Sequence, residues 1–251
     1  DLGYVSTKEP FQKLVNQGMI LGEDGEKMSK SRGNVINPDD VVHKYGADTL
    51  RLYEMFMGPL EKVKPWSMQG VKGVYNFISK AYKFFGNIDN IAENHEDEAT
   101  LKMLHKTIKK VTEDIEAMKF NTAISQLMIF TNHCVKVKKV NKDVAVNFAR
   151  ILYPFAPHAS EEIANIHDVK ETLTYRAWPE YIEALTKDEM VTLAVQINGK
   201  TRGTFEVAPD ISKDEFLSLV KNDERMQKYF EGKTIVKEIF IPKKIANFVL
   251  K

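Results

Sequence analysis

The chain has 251 residues and a formal net charge of +1, with 43% hydrophobic and 28% charged residues. This composition is typical of a globular protein and argues against indiscriminate binding to polyanions, which needs a bulk excess of positive charge. The sequence lacks the apolar run of about 18 residues that a membrane-spanning helix requires, and its single cysteine, Cys134, excludes an internal disulfide and a multi-cysteine zinc site.

Short elements are predicted at the start of the chain. Residues 11–16 are expected to form a helix and residues 19–21 a strand. Asn37 is the expected N-cap of a helix that ends at Gly46, because a proline and two acids follow it. A further helix is expected to start at Ala47.

A cationic loop with several glycines lies between these elements and reads GEDGEKMSKSRGN over residues 22–34. Its glycines let the backbone bend where a Cβ would clash, so its donors can approach a ligand closely. Lysine ammonium groups suit phosphate, and the serines add short hydroxyl donors. The composition fits a loop that holds a polyphosphate, and equally a solvated surface loop. The candidate ligand-binding residues are Lys27, Met28, Ser29, Lys30 and Ser31.

Apolar residues then recur at spacings of three and four, which predicts a series of helices. The predicted helices cover residues 66–85, 101–118, 121–135 and 142–152, with one more after Pro157. Asn121 is the expected cap of the third, and Asn141 or Lys142 starts the fourth. The acidic stretch 87–100 is expected to be a connection. These patterns predict an all-helical domain over residues 63–187.

The densest basic cluster of the chain lies in this helical region. It consists of Lys136, Lys138, Lys139 and Lys142. The cluster is either an ordinary solvated surface or a contact with backbone phosphates, which position a nucleic acid without reading its sequence. His158 stands beside a proline break and is expected to cap or pack rather than to catalyse. Trp178 is expected to anchor the following segment on the helices.

Residues 188–251, after a polar hinge at residues 185–189, are predicted to form a small sheet with helices on one face. Alternating apolar residues predict a strand before Asn198-Gly199, which is a strong two-residue hairpin turn. A capping box opens a helix at Ser212, and a closing hairpin turns at residues 242–244. Basic side chains at or near the two turns are Lys200, Arg202, Lys243 and Lys244.

These motifs resemble one known family. Residues 27–31 read KMSKS, the signature of class I aminoacyl-tRNA synthetases, and QGMILGEDGEKMSKSRGNVINPDDVV (residues 17–42) is similar to leucyl-tRNA synthetases of bacterial type. LYPFAPHASEE (residues 152–162) resembles the anticodon-binding bundle of the leucyl, isoleucyl, valyl and methionyl enzymes. VQINGKTRG (residues 195–203) and KEIFIPKKIANFVLK (residues 237–251) resemble the C-terminal domain of the bacterial leucyl enzymes.

The resemblance implies a multidomain fold that combines α/β and all-α parts. Residues 1–62 would be the carboxyl-side end of a Rossmann-type catalytic domain with its stem-contact region. Residues 63–187 would be the anticodon-binding helical bundle, and residues 188–251 a C-terminal α/β tRNA-binding domain. Arg51 falls in the family's YGADxxR stretch, and we favour an ion pair with Asp48 or a nearby acid over a ligand contact.

The resemblance also implies a role in leucine-tRNA ligation, in which leucine is activated with ATP and Mg²⁺ and then transferred to tRNA-Leu. Lys27 and Lys30 would stabilise charge that develops on the phosphates, while Ser29, Ser31 and Asn34 would shape the loop. The two basic groups described above become candidate tRNA contacts. No metal site is expected in this chain. The absence of a signal-peptide pattern and of multiple cysteines favours a cytoplasmic protein.

Two alternatives remain beside this interpretation. The first is a relative that uses isoleucine, valine or methionine, against which the C-terminal domain argues. The second is a non-catalytic tRNA-binding protein derived from a synthetase. The intact loop argues against the second, since tRNA binding alone gives no reason to keep an ATP loop.

The histidine motif that class I synthetases also need for activation is missing, because none of the six histidines lies in a HIGH-type pattern. We therefore expect a separate amino-terminal catalytic and editing portion, on the same polypeptide or on another subunit.

We predict that this chain alone supports no leucine-dependent exchange of pyrophosphate into ATP. Exchange by a rigorously purified sample would contradict this.

Overall fold

A computed structural model describes residues 2–92, 97–187 and 190–251. The chain divides into two compact units, Asp1–Thr186 and Lys187–Lys251. The predicted boundary after residue 62 stays a prediction, and the predicted start of the last domain at residue 188 lies outside the described residues. None of the described helices combines the length and apolar character needed to cross a membrane.

The first unit is mainly helical. Its described elements are β1 (Ile20–Leu21), α1 (Pro38–Tyr45), α2 (Ala47–Phe56), β2 (Lys64–Pro65), α3 (Met68–Phe85), α4 (Glu98–Glu116), α5 (Phe120–Val137), α6 (Lys142–Leu152), α7 (Pro157–Ile166) and α8 (Glu183–Thr186). β1 and β2 pair in parallel. One hydrophobic core joins α1 to α7.

Local capping signals explain where several of these helices begin. The Asn37 side chain accepts from the Asp39 N–H at 3.2 Å, and Asn141 accepts from the Val144 N–H at 2.8 Å. Each bond satisfies one of the orphan donors of a helix N-terminus. The predicted starts of α1 and α6 are therefore confirmed, as is the end of α1 at Gly46.

Three aromatic rings link the bundle helices at the centre of the core. Phe85 of α3 stacks on Phe148 of α6 with ring centroids 4.1 Å apart, and Phe130 of α5 lies 5.9 Å from Phe148. All three side chains are fully buried. Burial of each such side chain contributes about 1.5–3 kcal/mol, so this stack holds three helices in register.

Two predicted helix features are wrong. Residues 11–16 form no helix: Phe11 and Leu14 are 85% and 83% exposed, so the described residues do not cover the apolar face that would stabilise a short helix. α5 begins at Phe120, so its N-cap residue, Lys119, lies two residues before the predicted cap Asn121. The turn that precedes it is tight, with Met118 at φ 57°, so Lys119 already occupies the N-cap position.

Two connections also differ from expectation. The stretch predicted to connect α3 and α4 contains a 3-10 turn at Ile88–Asn90 and the first turn of α4, capped by Asp97. Residues 93–96 within it lie outside the described residues. The predicted hinge at residues 185–189 overlaps the end of α8, and its residues 188–189 are likewise outside the described part.

Asp48 links α2 to a helix 110 residues further along the chain. Its carboxylate accepts from the Ala159 N–H at 2.7 Å and the His158 N–H at 3.3 Å, and it bonds His158 Nδ1 at 2.8 Å. It thereby supplies the cap that Ala156, the N-cap residue of α7, cannot provide. Of the two partners expected for Arg51, Asp48 is wrong, because Arg51 Nη2 donates to the Pro154 carbonyl at 2.8 Å. The charge of Arg51 does act on a nearby acid, Glu54.

The second unit is a four-stranded sheet with two helices. Its described elements are β3 (Val191–Ile197), β4 (Lys200–Val207), α9 (Lys213–Asn222), α10 (Glu224–Phe230), β5 (Ile235–Ile241) and β6 (Ile245–Leu250). The strand order is β4-β3-β6-β5, with β3 and β6 parallel and the two hairpins antiparallel. The helices and the inward-facing strand residues share one core.

The turn chemistry of this unit follows its sequence. Asn198 and Gly199 adopt φ angles of 49° and 78°, as a primed hairpin turn requires. Ser212 and Glu215 form the predicted reciprocal capping box at the start of α9. Asn198 also ties the hairpin to β6, since its Oδ1 accepts from the Leu250 N–H at 2.8 Å.

We predict that Asp48→Ala destabilises the first unit by about 1–3 kcal/mol, because it leaves two partly buried N–H groups of α7 without their acceptor. Urea unfolding followed by tryptophan fluorescence measures this, since both tryptophans, Trp66 and Trp178, lie in that unit. His158→Ala is the matched control: its ring is 76% exposed, so its loss should cost clearly less. Equal effects would contradict the capping role.

Candidate functional site

The loop over residues 22–34 leaves β1 and returns to α1 on a base fixed by backbone bonds. The Trp66 N–H donates to the Leu21 carbonyl at 2.9 Å, and the Lys64 N–H donates to the Met19 carbonyl at 3.1 Å. At the start of α3, the Met68 N–H donates to Glu23 Oε1 at 2.7 Å. The first residues of the loop are thus joined to the N-terminus of a long bundle helix.

The first half of the loop is a tight turn. The Gly22 N–H donates to the Glu26 carbonyl at 2.8 Å, and the Gly25 N–H donates to the Gly22 carbonyl at 2.9 Å. Lys27 then returns beside Leu21 as an isolated antiparallel bridge. This turn brings the KMSKS segment back over the strand that precedes it.

The second half is a turn centred on the two serines. The Arg32 and Gly33 N–H groups each donate to the Ser29 carbonyl at 3.2 Å. The hydroxyls of Ser29 and Ser31 lie 3.3 Å apart. Met28 is half-buried and packs against the core of the unit. The segment is therefore anchored by one apolar side chain, with polar groups on either side of it.

Asn34 joins the two halves. Its Oδ1 accepts from the Ser29 N–H at 2.9 Å, while its Nδ2 donates to both Asp24 carboxylate oxygens at 3.1 Å and to the Lys27 carbonyl at 3.3 Å. The pKa of Asp24 is lowered, mainly by the Glu26 N–H and then by the Asn34 amide. Asp24 is therefore ionised at neutral pH and remains a strong acceptor.

The two lysines of the loop are exposed, and no hydrogen bond or ion pair to their ammonium groups occurs within the described residues. Arg32 differs, because it lies 3.9 Å from Glu26. That pair is solvent-exposed and contributes little. The geometry thus holds the backbone of Lys27 and Lys30 while leaving two flexible cations available to an anion such as a polyphosphate.

The basic cluster of the bundle lies where α5 ends and α6 begins. Lys136, Lys138, Lys139 and Lys142 are all exposed. Lys138 adopts φ 70° as the left-handed cap of α5, and Lys142 lies 3.9 Å from Asp168. The structure therefore groups these four residues on one helix junction, with one of the four charges shared with an acid.

The basic residues of the second unit do not form a single cluster. Lys200 follows the turn at the C-terminal end of β3, whereas Lys243 and Lys244 precede β6, which runs parallel to β3. Lys200 therefore lies at the opposite end of the sheet from Lys243 and Lys244. Arg202 packs its guanidinium over the Tyr229 ring at 5.3 Å, a contact that fixes its direction.

The other titratable groups of the described residues form no competing centre. Cys134 is fully buried, and burial raises the pKa of its thiol to about 12, so it is no nucleophile at neutral pH. Among residues 2–92, 97–187 and 190–251, no three His, Cys, Asp or Glu side chains gather as metal ligands would. His158 and His167 each bond protein groups, Asp48 and the Phe85 carbonyl.

The sequence did not identify Glu23 and Asp24 as parts of the loop's framework. Their partners lie 45 and 10 residues away, at Met68 and Asn34. The one local signal is the acid-glycine pair Asp24-Gly25, which indicates a turn but not what the carboxylate contacts.

Two family models match the chain. Residues 4–64 match the model for tRNA synthetases class I (I, L, M and V), and residues 97–217 match the anticodon-binding domain of tRNA ligase. Each match is a similarity of sequence to the family as a whole.

Several curated proteins are similar over the whole chain. The leucine-tRNA ligase of Chloroherpeton thalassium is 50% identical over 257 aligned residues, which cover 100% of this chain and 32% of that protein. Those of Chlorobaculum parvum and Chlorobaculum tepidum are each 48% identical over 255 residues, with the same coverage. The chain therefore spans about a third of the length of these relatives.

A solved structure is similar in fold. It is described as the ternary complex of Agrobacterium radiobacter K84 agnB2 LeuRS with tRNA and LeuAMS. The TM-score is 0.73 at 30% sequence identity, and the match covers 100% of this chain and 35% of that one.

Proposed function

This chain belongs to the leucine-tRNA ligase family of class I tRNA synthetases, and from that premise we propose that it is the part of such an enzyme that grips ATP phosphates and contacts tRNA. The intact enzyme would activate leucine with ATP to leucyl-adenylate and transfer the leucyl group to tRNA-Leu. The observation that carries the proposal is the loop at residues 27–31, whose backbone is held by hydrogen bonds while its two lysines have no partner among the described residues.

The proposed chemistry places charge next to these lysines. The leucine carboxylate attacks the α-phosphate of ATP, and the bond to the β-phosphate breaks as pyrophosphate leaves. Negative charge grows on the leaving phosphates, and Lys27 and Lys30 stabilise it more in the transition state than in the ground state. Mg²⁺ would enter with ATP as part of the substrate, held largely by phosphate oxygens.

The neighbouring residues have supporting roles in this proposal. Met28 anchors the segment in the core, and Ser29 and Ser31 complete the turn that presents Lys30. The remaining catalytic and editing functions would come from the portion of the family's length that this chain does not span.

We further propose three functional regions within the chain. Residues 1–62 would end the catalytic domain, residues 63–187 would form the anticodon-binding bundle, and residues 188–251 would contact tRNA through the C-terminal domain. The match of residues 97–217 to anticodon-binding domains supports the second of these over residues 97–187, and it extends beyond the proposed boundary. An enzyme that charges tRNA for translation would work in the cytoplasm.

The proposed tRNA contacts are exposed cations on both units. They are Lys136, Lys138, Lys139, Lys142, Lys200, Arg202, Lys243 and Lys244. Folded RNA is recognised largely through shape and through sugar and phosphate contacts. The basic residues of the second unit lie at opposite ends of its sheet, which fits contacts with several phosphates along an RNA backbone rather than with a single phosphate.

In the complete enzyme, Lys30→Ala should slow leucyl-adenylate formation by about 10²–10³, the usual effect of removing one donor from a developing charge. Leucine binding should change little, because the lysine acts on the phosphates. Single-turnover adenylate formation and leucine titration measure the two effects separately. An unchanged activation rate would remove Lys30 from the mechanism.

The tRNA contacts are tested by a salt titration of this chain with tRNA-Leu and with a non-cognate tRNA. Affinity should fall as salt rises, since bound phosphates release counterions. Lys139→Gln should reduce the slope of log affinity against log salt by about one if it contacts a phosphate. Lys213→Gln, outside the proposed contacts, is the control. A slope unaffected by every proposed cation would contradict the assignment.

A further inference from the structure

Asp24 and Asn34, together with Gly22, form a polar cluster that we call the loop clasp. Asn34 makes four contacts in it: it accepts from the Ser29 N–H and donates to both Asp24 oxygens and to the Lys27 carbonyl. Asp24 in turn accepts from the Glu26 N–H at 3.0 Å. The clasp thus closes the loop across ten residues.

The clasp depends on a close approach of the backbone at Gly22. A Cβ at this position would lie 2.7 Å from Asp24 Oδ1 and 2.8 Å from Asn34 Nδ2, well inside contact distance. A side chain here would therefore push the carboxylate and the amide away from their present positions. Gly22 therefore leaves the space that the carboxylate and the amide of the clasp occupy.

The groups held by Asn34 lie on both sides of Met28. The Lys27 carbonyl precedes this residue and the Ser29 N–H follows it. The Asn34 amide therefore bonds one backbone acceptor and one backbone donor, as the backbone of a neighbouring strand would. Met28 itself packs on the core. The start points of the Lys27 and Lys30 side chains are fixed, although their ammonium groups are free to move.

We propose that Asp24 and Asn34 are positioning residues for the reaction of this family: they hold the loop so that Lys27 and Lys30 meet the phosphates of bound nucleotide without prior ordering of the backbone. The inference rests on the function proposed above. Neither residue touches the reacting atoms. They act through the peptide groups that flank Met28.

The physical reason is the conformational entropy of a glycine-rich loop. Without the clasp, the 13 residues of the loop keep three glycines and few buried contacts, and the lysines would sample many positions. The loop would then have to lose conformational entropy in each catalytic cycle before the lysines could contact the phosphates. A preorganised loop avoids that ordering at the moment of reaction.

The first test measures the clasp itself in this chain, independently of any activity. Trypsin cleaves after Lys27, Lys30 and Arg32, so the rate of cutting at these bonds, read by mass spectrometry, reports local opening of the loop. Asn34→Ala, Asp24→Ala and Gly22→Ala should each raise it about tenfold, the effect of losing a contact of this kind. Asp210→Asn, a carboxylate in the second unit, is the control and should change nothing.

A reciprocal exchange sharpens the test. In the double variant Asp24→Asn with Asn34→Asp, the carboxylate at position 34 accepts from the Ser29 N–H and from the amide at position 24, but it can no longer donate to the Lys27 carbonyl. The exchange preserves net charge and should be cleaved more slowly than Asn34→Asp alone, which places two carboxylates together. Cleavage of the double variant as fast as that of Asn34→Asp would overturn the pairing.

The second test uses the complete enzyme and leucine-dependent pyrophosphate exchange. Asn34→Ala should lower kcat about tenfold or more, as misplacement of catalytic groups does, with the KM for leucine unchanged. The exchanged pair should have a higher kcat than Asn34→Asp alone. A variant that is merely less stable would contain less active enzyme, but each active molecule would keep its kcat. Active-site titration measures the active fraction and so distinguishes the two cases.

The outcomes distinguish this proposal from the one on which it rests. If Lys30→Ala slows exchange but Asn34→Ala opens the loop without lowering kcat, the positioning role is wrong and the function of the loop stands. If Lys30→Ala leaves exchange unchanged, the proposed function of the loop fails and the positioning role fails with it. Slow exchange in both variants, with faster exchange in the exchanged pair than in Asn34→Asp, supports the proposal.

Discussion

The bond between the Asp48 carboxylate and the N-terminus of α7 is the contact on which the first unit depends. It joins the helix pair that follows the loop to a helix more than 100 residues away. A helix N-terminus with no cap of its own carries unsatisfied donors and a partial positive charge. The Asp48 carboxylate, which belongs to α2, accepts from these donors and places a negative charge beside them. A shift of α2 would therefore leave N–H groups of α7 without an acceptor. The helices that leave the loop are therefore part of the bundle rather than an appendage.

That fixed platform explains how a loop of small and charged residues can be orderly. Its two ends are set by β1, by α1 and by the Glu23 contact with the start of α3. Its middle is set by one half-buried methionine and one asparagine amide. The lysines alone lack partners among the described residues. In residues 27–31 the backbone is therefore held in place, while the ammonium groups of the two lysines remain free to move.

The sequence predicted those features whose physical cause lies within a few residues. Asn37, Asn141, the Ser212 capping box and the Asn198-Gly199 turn all act on neighbours along the chain, and each is found where it was expected. Features that depend on distant partners were missed or wrong. Arg51 bonds Pro154 rather than Asp48, because a pattern within one helix cannot show which loop lies beside it. The helix expected at residues 11–16 fails similarly, since periodicity describes a face but not whether anything covers it.

The burial of Cys134 has a practical consequence for studying the loop. The sulfur is the one thiol of the chain, it is fully covered, and its proton is firmly held. A cysteine placed at an exposed position such as Ser31 would therefore be the sole thiolate available to a fluorophore or spin label. Motion of the loop can then be followed spectroscopically in the protein with its native core intact, with no need to remove the natural cysteine first.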